Sequence, residues 1–291
     1  MLMKQTQQLK ADYYFCEKII RKHSQSFYYT FKQLPKDKAR AVYVIYAFCR
    51  LADNTIDQNS DHQVKKMQLM NLREQLEAFE RGEELSAPLW RALRDVFNRY
   101  EMDIQPFYDQ LIGQEMDLDF SIPKDVEALE TYSYYVAGTV GLMLLPIIAT
   151  EHNHKLKQSA IQLGVAMQIT NILRDVFEDV GKYQRIYLPS DLMETLQYSV
   201  QDAEGFIVNE AFIQIWEQLA QRAESNYVQF EDSLHLFDQD SQFQVLSAAR
   251  VYRQILQVVR ENQYQCFGKI NAVSATQIGQ IIRLTQIDIA N

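Results

Sequence analysis

Between residues 168 and 180 the apolar positions Ile169, Ile172, Leu173, Val176, Phe177 and Val180 fall at helical spacing, so one face of this segment points at a core. The same period predicts helices near residues 10–22, 36–58, 62–81, 87–100, 104–119, 124–150, 154–180, 206–235, 240–265 and 274–287. Strand-like alternation is nowhere convincing. In QLPKD, SIPKD and RIYLPSD a proline stands just before or at a helix start, where its missing N–H does no harm. ERGEELSAP reads as a loop, but no repeat, low-complexity tract or long linker divides the chain. The pattern predicts one all-α domain over residues 1–291.

Composition sharpens this picture in few places. Gly 9 and Pro 6 are sparse for 291 residues, and no proline follows Pro189, which favours long helices. The formal charge of −9 argues against general nucleic-acid binding. It suits an anionic substrate only where metal cations bridge the two. Three cysteines, Cys16, Cys49 and Cys266, lie in apolar helical settings, and the N-terminus lacks a signal-peptide apolar region. A reduced, cytoplasmic protein is expected. Residues 131–150 carry no charge and are long enough to span a bilayer. Tyr132, Ser133, Tyr134, Tyr135 and Pro146 make a buried helix against an apolar cavity the better expectation, with no transmembrane segment.

The candidate chemistry sits on two predicted helices. On 168–180, Asn171, Asp175 and Asp179 stand four apart and line up along one face. Two ionised carboxylates about 4 Å apart repel by roughly 4 kcal/mol at an effective dielectric near 20. A solvated polar face, with Arg174 and Glu178 paired one turn apart, would explain this stripe alone. On 36–58 the segment from Ala41 to Ala52 has Arg50 as its one charge, and Tyr46, Arg50, Asp53 and Asp57 share a face. Here an internal Arg50–Asp53 pair is the plain structural account. Two D-x-x-x-D pairs on two apolar helices change the balance. If they face each other, four carboxylates converge, and divalent cations are needed to hold them. Hard oxygen donors on rigid helices suit Mg²⁺, completed by water and substrate phosphate, which predicts a diphosphate substrate.

The blocks HSQSF (23–27), YAFCRLADNTID (46–57), YYVAGTVG (134–141), QITNILRDVFEDVGKYQRIYLP (168–189) and AARVYRQIL (248–256) resemble the signatures of the squalene/phytoene synthase family, in family order. The resemblance implies a single all-α bundle around a deep apolar cavity. It implies Mg²⁺-dependent head-to-head condensation of two farnesyl diphosphates through presqualene diphosphate to an unreduced thirty-carbon hydrocarbon, the first step toward a carotenoid. Within the family, phytoene formation from the twenty-carbon donor or arrest at presqualene diphosphate are the alternatives. A non-catalytic relative acting in assembly is a further one, although such a relative would be expected to have lost acidic ligands. The lipidic substrate implies peripheral membrane contact.

Carried over residue by residue, Asp53, Asp57, Asn171, Asp175 and Asp179 resemble the Mg²⁺–diphosphate positions. His23, Ser24, Ser26, Arg50, Arg174, Arg185, Tyr187 and Tyr252 match positions that hold diphosphate oxygens or the reacting carbons. Gln25 and Phe27 complete the first substrate-binding block. Tyr46, Tyr132 and Gln168 match cavity positions near the reaction centre, and Phe31 and Tyr43 match the far end of the prenyl cavity. Taken singly, His23 could be an ordinary histidine, Ser24 and Ser26 a helix cap, and any one of 17 tyrosines a core residue. Two positions depart from the pattern. Gln25 stands where lysine is usual, and Lys269 replaces an arginine, turning a bidentate contact into a point charge.

Overall fold

In the computed structural model the described residues are 2–57, 61–266 and 271–290, without the side chains of 2–5 and 26. Among them no strand occurs. The helices in chain order are α1 Leu2–His23, α2 Gln25–Phe31, α3 Lys36–Asp57, α4 His62–Glu80, α5 Pro88–Arg99, α6 Gln105–Leu118 and α7 Val126–Ser133. They continue as α8 Thr139–Ile148, α9 Asn153–Glu178, α10 Ser190–Thr195, α11 Val200–Glu204, α12 Glu210–Asp232, α13 Gln239–Glu261 and α14 Ala275–Ala290. The all-α expectation holds, and α3, α4, α5 and α6 begin and end within a residue or two of the predicted spans.

The chain forms two compact units. The first comprises Met1–Asp119, Thr139–Lys157 and His235–Gln244. Its centre is α3, whose Val44, Ile45, Ala47, Phe48 and Ala52 are almost fully buried. The helix α1 packs along α3 and α5. Arg91 of α5 grips the buried Asp12 of α1 with two hydrogen bonds, 2.6 and 2.9 Å. Removing Arg91 would strand the buried Asp12 charge, whereas the arginine is itself a third exposed. Lys38 at the start of α3 bridges Asp238 at 2.7 Å and Asp240 at 2.5 Å, tying residues two hundred apart.

The second unit comprises Phe120–Gly138, Gln158–Leu234 and Val245–Asn291. Here α9 buries the predicted apolar stripe, Ile169, Ile172, Leu173, Val176 and Phe177. Trp216 of α12 donates its indole N–H to the Leu173 carbonyl at 3.0 Å, fixing one helix on the other. Arg260 of α13 pairs with Glu217 and Glu224 of α12 at 2.9 and 2.8 Å.

Two predicted helices are interrupted. The span 124–150 contains a π-helical turn, Tyr134–Gly138. The reason lies in α9: a Cβ at Gly164 would stand 2.3 Å from the Ala137 carbonyl oxygen, so glycine there lets the widened turn lie backbone against backbone. The span 154–180 ends in a second π-turn, Asp179–Tyr183, closed by Gln184 in the left-handed region at φ 56°. The predicted helix 206–235 begins later, at Glu210, where Asn209 caps α12 by accepting from the Phe212 amide. The short α10 and α11 lie in stretches without apolar periodicity. The stretch Val126–Ile148 is apolar and long enough to cross a membrane by length and composition, and half of its most apolar window is buried inside the fold.

Candidate active site

The first block of site residues belongs to the first unit. His23 is the last residue of α1 and is exposed. Ser24 occupies the N-cap position of α2, yet its side chain makes no capping hydrogen bond. Gln25 is exposed, and the Ser26 side chain lies outside the described residues. Phe27 packs against Phe31 with its ring tilted by 31° and the centroids 5.5 Å apart. Tyr43 meets Tyr28 at 5.7 Å, and Phe31 and Tyr43 are both nearly buried. Tyr46 is half-buried on α3, one turn before Arg50.

Asp53 is the electrostatic centre of this block. Burial, and then the negative charge of Asp57, push its carboxyl up to about 7, against the lowering influence of Arg50; Asp117 of α6 adds to the rise. Gln114 of α6, itself buried, donates its amide N–H to Asp53 Oδ1 at 3.1 Å. Neither Gln114 nor Asp117 follows from the sequence. They are some sixty residues from Asp53, and GQEMD has no local signature of its own. The internal Arg50–Asp53 ion pair expected as a structural explanation is not formed as a hydrogen bond. Arg50 Nε and Asn54 Oδ1 are buried with no hydrogen-bond partner among the described residues.

The second block belongs to the second unit and is arranged differently. Arg174 Nε donates to Asp175 Oδ1 at 2.8 Å, and its Nη2 donates to Oδ2. Burial opposes the Arg174 charge, but the bonds to Asp175 and the charges of Asp175, Tyr252 and Asp179 outweigh it and raise the pKa further. The expected Arg174–Glu178 pair is therefore not the one formed; Glu178 instead lies 3.8 Å from Lys182. A bidentate grip on the neighbouring carboxylate wins over a one-turn reach. Asn171 makes a long contact to Gln168 Oε1, 3.5 Å, through its amide nitrogen, and its Oδ1 is buried without a partner among the described residues. Asp179 is the first residue of the π-turn, directly after the last α-helical residue, Glu178.

After that turn the chain enters a buried aromatic cluster. Arg185 is 8% exposed, and its Nη1 donates to the Tyr187 hydroxyl at 3.4 Å. Tyr132 stacks on Tyr187 with centroids 5.0 Å apart and donates its hydroxyl to that of Tyr187 at 3.1 Å. Phe120 closes the other side, edge-on to Tyr187 at 5.2 Å. Tyr252 of α13 is close enough to Arg174 and Asp175 to feel both charges, and burial raises its pKa. Tyr132, Arg185 and Tyr187 are thus brought together, as are Arg174, Asp175 and Tyr252. Lys269 lies outside the described residues.

The donor chemistry fits a hard divalent cation. In the first unit the Asp53 carboxyl, pushed up to about 7 by burial and by the charge of Asp57, gains from a cation; in the second unit the orphaned Asn171 Oδ1 is an acceptor without a donor. Among the described residues no three His, Cys, Asp or Glu side chains form a cage by themselves. The remaining ligands would be water and substrate phosphate, as Mg²⁺ prefers.

Comparison with known proteins decides the family. The squalene/phytoene synthase family model matches residues 20–278. The chain belongs to that family. Family members are prenyltransferases that condense prenyl diphosphates head to head, and they use divalent metal to bind them. The 4,4'-diapophytoene synthase of Staphylococcus haemolyticus is 34% identical over 261 residues, 88% of this chain and 90% of that protein. The phytoene synthase of Arthrospira platensis is also 34% identical, over 269 residues, 88% of this chain and 86% of that protein. A crystal structure of a dehydrosqualene synthase in complex with ligand has a TM-score of 0.92 and 39% identity, covering 98% of this chain and 99% of that chain. This family membership carries the isoprenoid synthase fold class with it.

Proposed function

We propose that the protein is a Mg²⁺-dependent dehydrosqualene (4,4'-diapophytoene) synthase, joining two farnesyl diphosphates through presqualene diphosphate without reduction. Two equal identities, to a diapophytoene and to a phytoene synthase, leave the donor length to the chain's own residues. The observation that supports the reading is the tight packing of two aromatic side chains that the family resemblance puts at the far end of the prenyl cavity. Phe31 and Tyr43 are 3% and 4% exposed, and each ring is packed on another, Phe27 and Tyr28 respectively. One more isoprene unit would have to displace such packed rings, and overpacking costs about 1–3 kcal/mol.

In this reading Asp53 and Asp57 of the first unit, and Asn171, Asp175 and Asp179 of the second, would hold metal and diphosphate. Bound metal supplies the charge neutralisation that makes diphosphate a leaving group. Arg50, with its unpaired Nε, donates to diphosphate oxygens, and Arg174 orients Asp175 while adding positive charge. Tyr132 and Tyr252 offer ring faces to a developing allylic cation, worth about 0.5–2 kcal/mol each, and Tyr187, stacked on Tyr132, holds that ring in place. The apolar stretch 131–150 excludes the water that would quench it.

Product analysis tests the reading. With farnesyl and geranylgeranyl diphosphates in competition, the thirty-carbon hydrocarbon should dominate. Phe31→Ala or Tyr43→Ala should admit the longer donor and yield a forty-carbon product. A native preference for geranylgeranyl diphosphate would overturn the donor assignment and leave the condensation intact.

A further inference from the structure

The π-turn that begins at Asp179 has little burial of its own. Of its five residues Val180 is buried, Gly181 and Lys182 are exposed, and Asp179 and Tyr183 are half-buried. Its end is clipped to its start, with the Arg185 amide donating to the Asp179 carbonyl at 3.1 Å. Whatever steadies this turn therefore also sets the backbone of Asp179.

A ring from elsewhere in the second unit lies against it. A Cβ at Gly181 would stand 3.3 Å from Phe206 Cζ and 3.7 Å from its Cε1, the closest side-chain atoms among the described residues. Glycine at 181 leaves that ring room against the backbone. The same ring is edge-on to Phe177, near the end of α9, with centroids 5.5 Å apart. Phe206 thus reaches from the last α-helical turn of α9 to the middle of the π-turn.

The backbone of Phe206 is strained in a place that glycine would fill without strain. It follows α11, whose end is a paired clip: the Phe206 amide donates to the Ala203 carbonyl at 3.1 Å, and the Ile207 amide to the Asp202 carbonyl at 2.9 Å. This motif puts a left-handed residue just past the helix cap, a position that favours glycine. Gly205 stands one residue too early, at φ −79°, and Phe206 takes the left-handed position at φ 56°. A bulky aromatic residue there is an outlier, and strain of this kind collects where function uses it. We propose that Phe206 is a positioning residue for Asp179, its ring holding the π-turn through Gly181. The inference rests on the proposed role of Asp179 toward metal and diphosphate, so its test includes that residue as a reference.

Full-length protein is titrated with Mn²⁺ in the presence of inorganic pyrophosphate, with free Mn²⁺ read by electron paramagnetic resonance and Tm read by calorimetry. Asp179→Asn should weaken Mn²⁺ binding by about tenfold or more. Phe206→Gly gives the left-handed position its preferred residue and removes the ring, so Mn²⁺ affinity should fall by about tenfold while Tm holds or rises. A purely structural ring would instead lower Tm and leave the affinity alone. Phe206→Leu keeps an apolar side chain against Phe177 and Gly181 and should recover most of the affinity, although its backbone is as strained as the parent's. Phe212→Leu, which loosens the ring stacked on the same Phe177 at 5.3 Å, should lower Tm without moving the affinity. Asp179→Asn combined with Phe206→Gly should bind no more weakly than Asp179→Asn alone. Unchanged affinity in Phe206→Gly, no recovery in Phe206→Leu, an equal loss in Phe212→Leu or additive losses in the double mutant would overturn the inference and leave the role of Asp179 intact. Unchanged affinity in Asp179→Asn would overturn that role and the inference with it.

Discussion

The two D-x-x-x-D motifs have the same spacing and opposite electrostatics. On α3, Asp53 accepts from the neutral amide of Gln114, and burial together with the charge of Asp57 pushes its carboxyl up to about 7. On α9, Asp175 is gripped on both oxygens by Arg174, the residue just before it. The first motif is therefore short of positive charge until a cation arrives, whereas the second already has a cation from its own helix. Spacing tells where carboxylates stand; the neighbours on other elements tell how charged they are.

The largest effect expected is loss of turnover in both Asp53→Asn and Asp175→Asn, by a factor of about 10³ or more if each removes a ligand of the group that stabilises the leaving diphosphate. The comparison is sharpened by stability in the metal-free protein. The folded pKa of Asp53 lies above its ordinary value of 3.8, so its contribution is fully present below about pH 4 and is lost as pH rises through about 7. Asp53→Asn should abolish that loss and raise Tm at pH 8 by about 2–4 °C, the response to ~1 kcal/mol in a chain of this size. Asp175→Asn should instead lower Tm, since it weakens the partner of the partly buried Arg174. Equal Tm shifts in the two mutants, measured by calorimetry in EDTA, would break the contrast.

Arginine replacements come next. Arg50→Lys should cut kcat about 10–100-fold, because a guanidinium's directed donors are lost, with Tm nearly unchanged since Arg50 Nε has no partner to lose. Arg174→Lys loses a two-point grip on Asp175 and should lower both kcat and Tm. Stopped-turnover assays beside thermal melts separate the two. A large Tm loss in Arg50→Lys with normal kinetics would make Arg50 a structural residue.

These differences also mark how far the sequence could be read. Apolar periodicity located α3, α4, α5, α6 and α9 because each buries a stripe along one face, and burial is what periodicity encodes. The π-turns at 134–138 and 179–183 were hidden because their cause is a contact, such as Gly164 against the Ala137 backbone, between segments far apart in sequence. The acidic residues and the tyrosines were legible as candidates. The partners were legible only where they are adjacent in sequence, and even there the wrong one was expected: Arg174 takes Asp175 rather than Glu178. Gln114 and Asp117 could not be found, since a lone Gln and Asp on an ordinary helix give no signal until α6 is laid against α3.

Gln114 supplies the smallest and most discriminating test of the contrast. Its amide N–H at 3.1 Å is a neutral donor, so it orients the Asp53 carboxylate without cancelling its charge, as Arg174 does for Asp175. Replacing it with leucine keeps the buried volume and removes the donor. Asp53 would then be free to rotate, and residues that orient a metal ligand typically change metal affinity by about 10–100-fold. Mn²⁺ affinity, followed by electron paramagnetic resonance in the presence of inorganic pyrophosphate, should fall by about tenfold in Gln114→Leu, while Tm stays within about 2–4 °C of the parent. Asp53→Asn combined with Gln114→Leu should bind Mn²⁺ no more weakly than Asp53→Asn alone, because the two residues act through one carboxylate. Additive losses in that double mutant would mean that Gln114 works by some route other than Asp53, and the first motif would lose its neutral support.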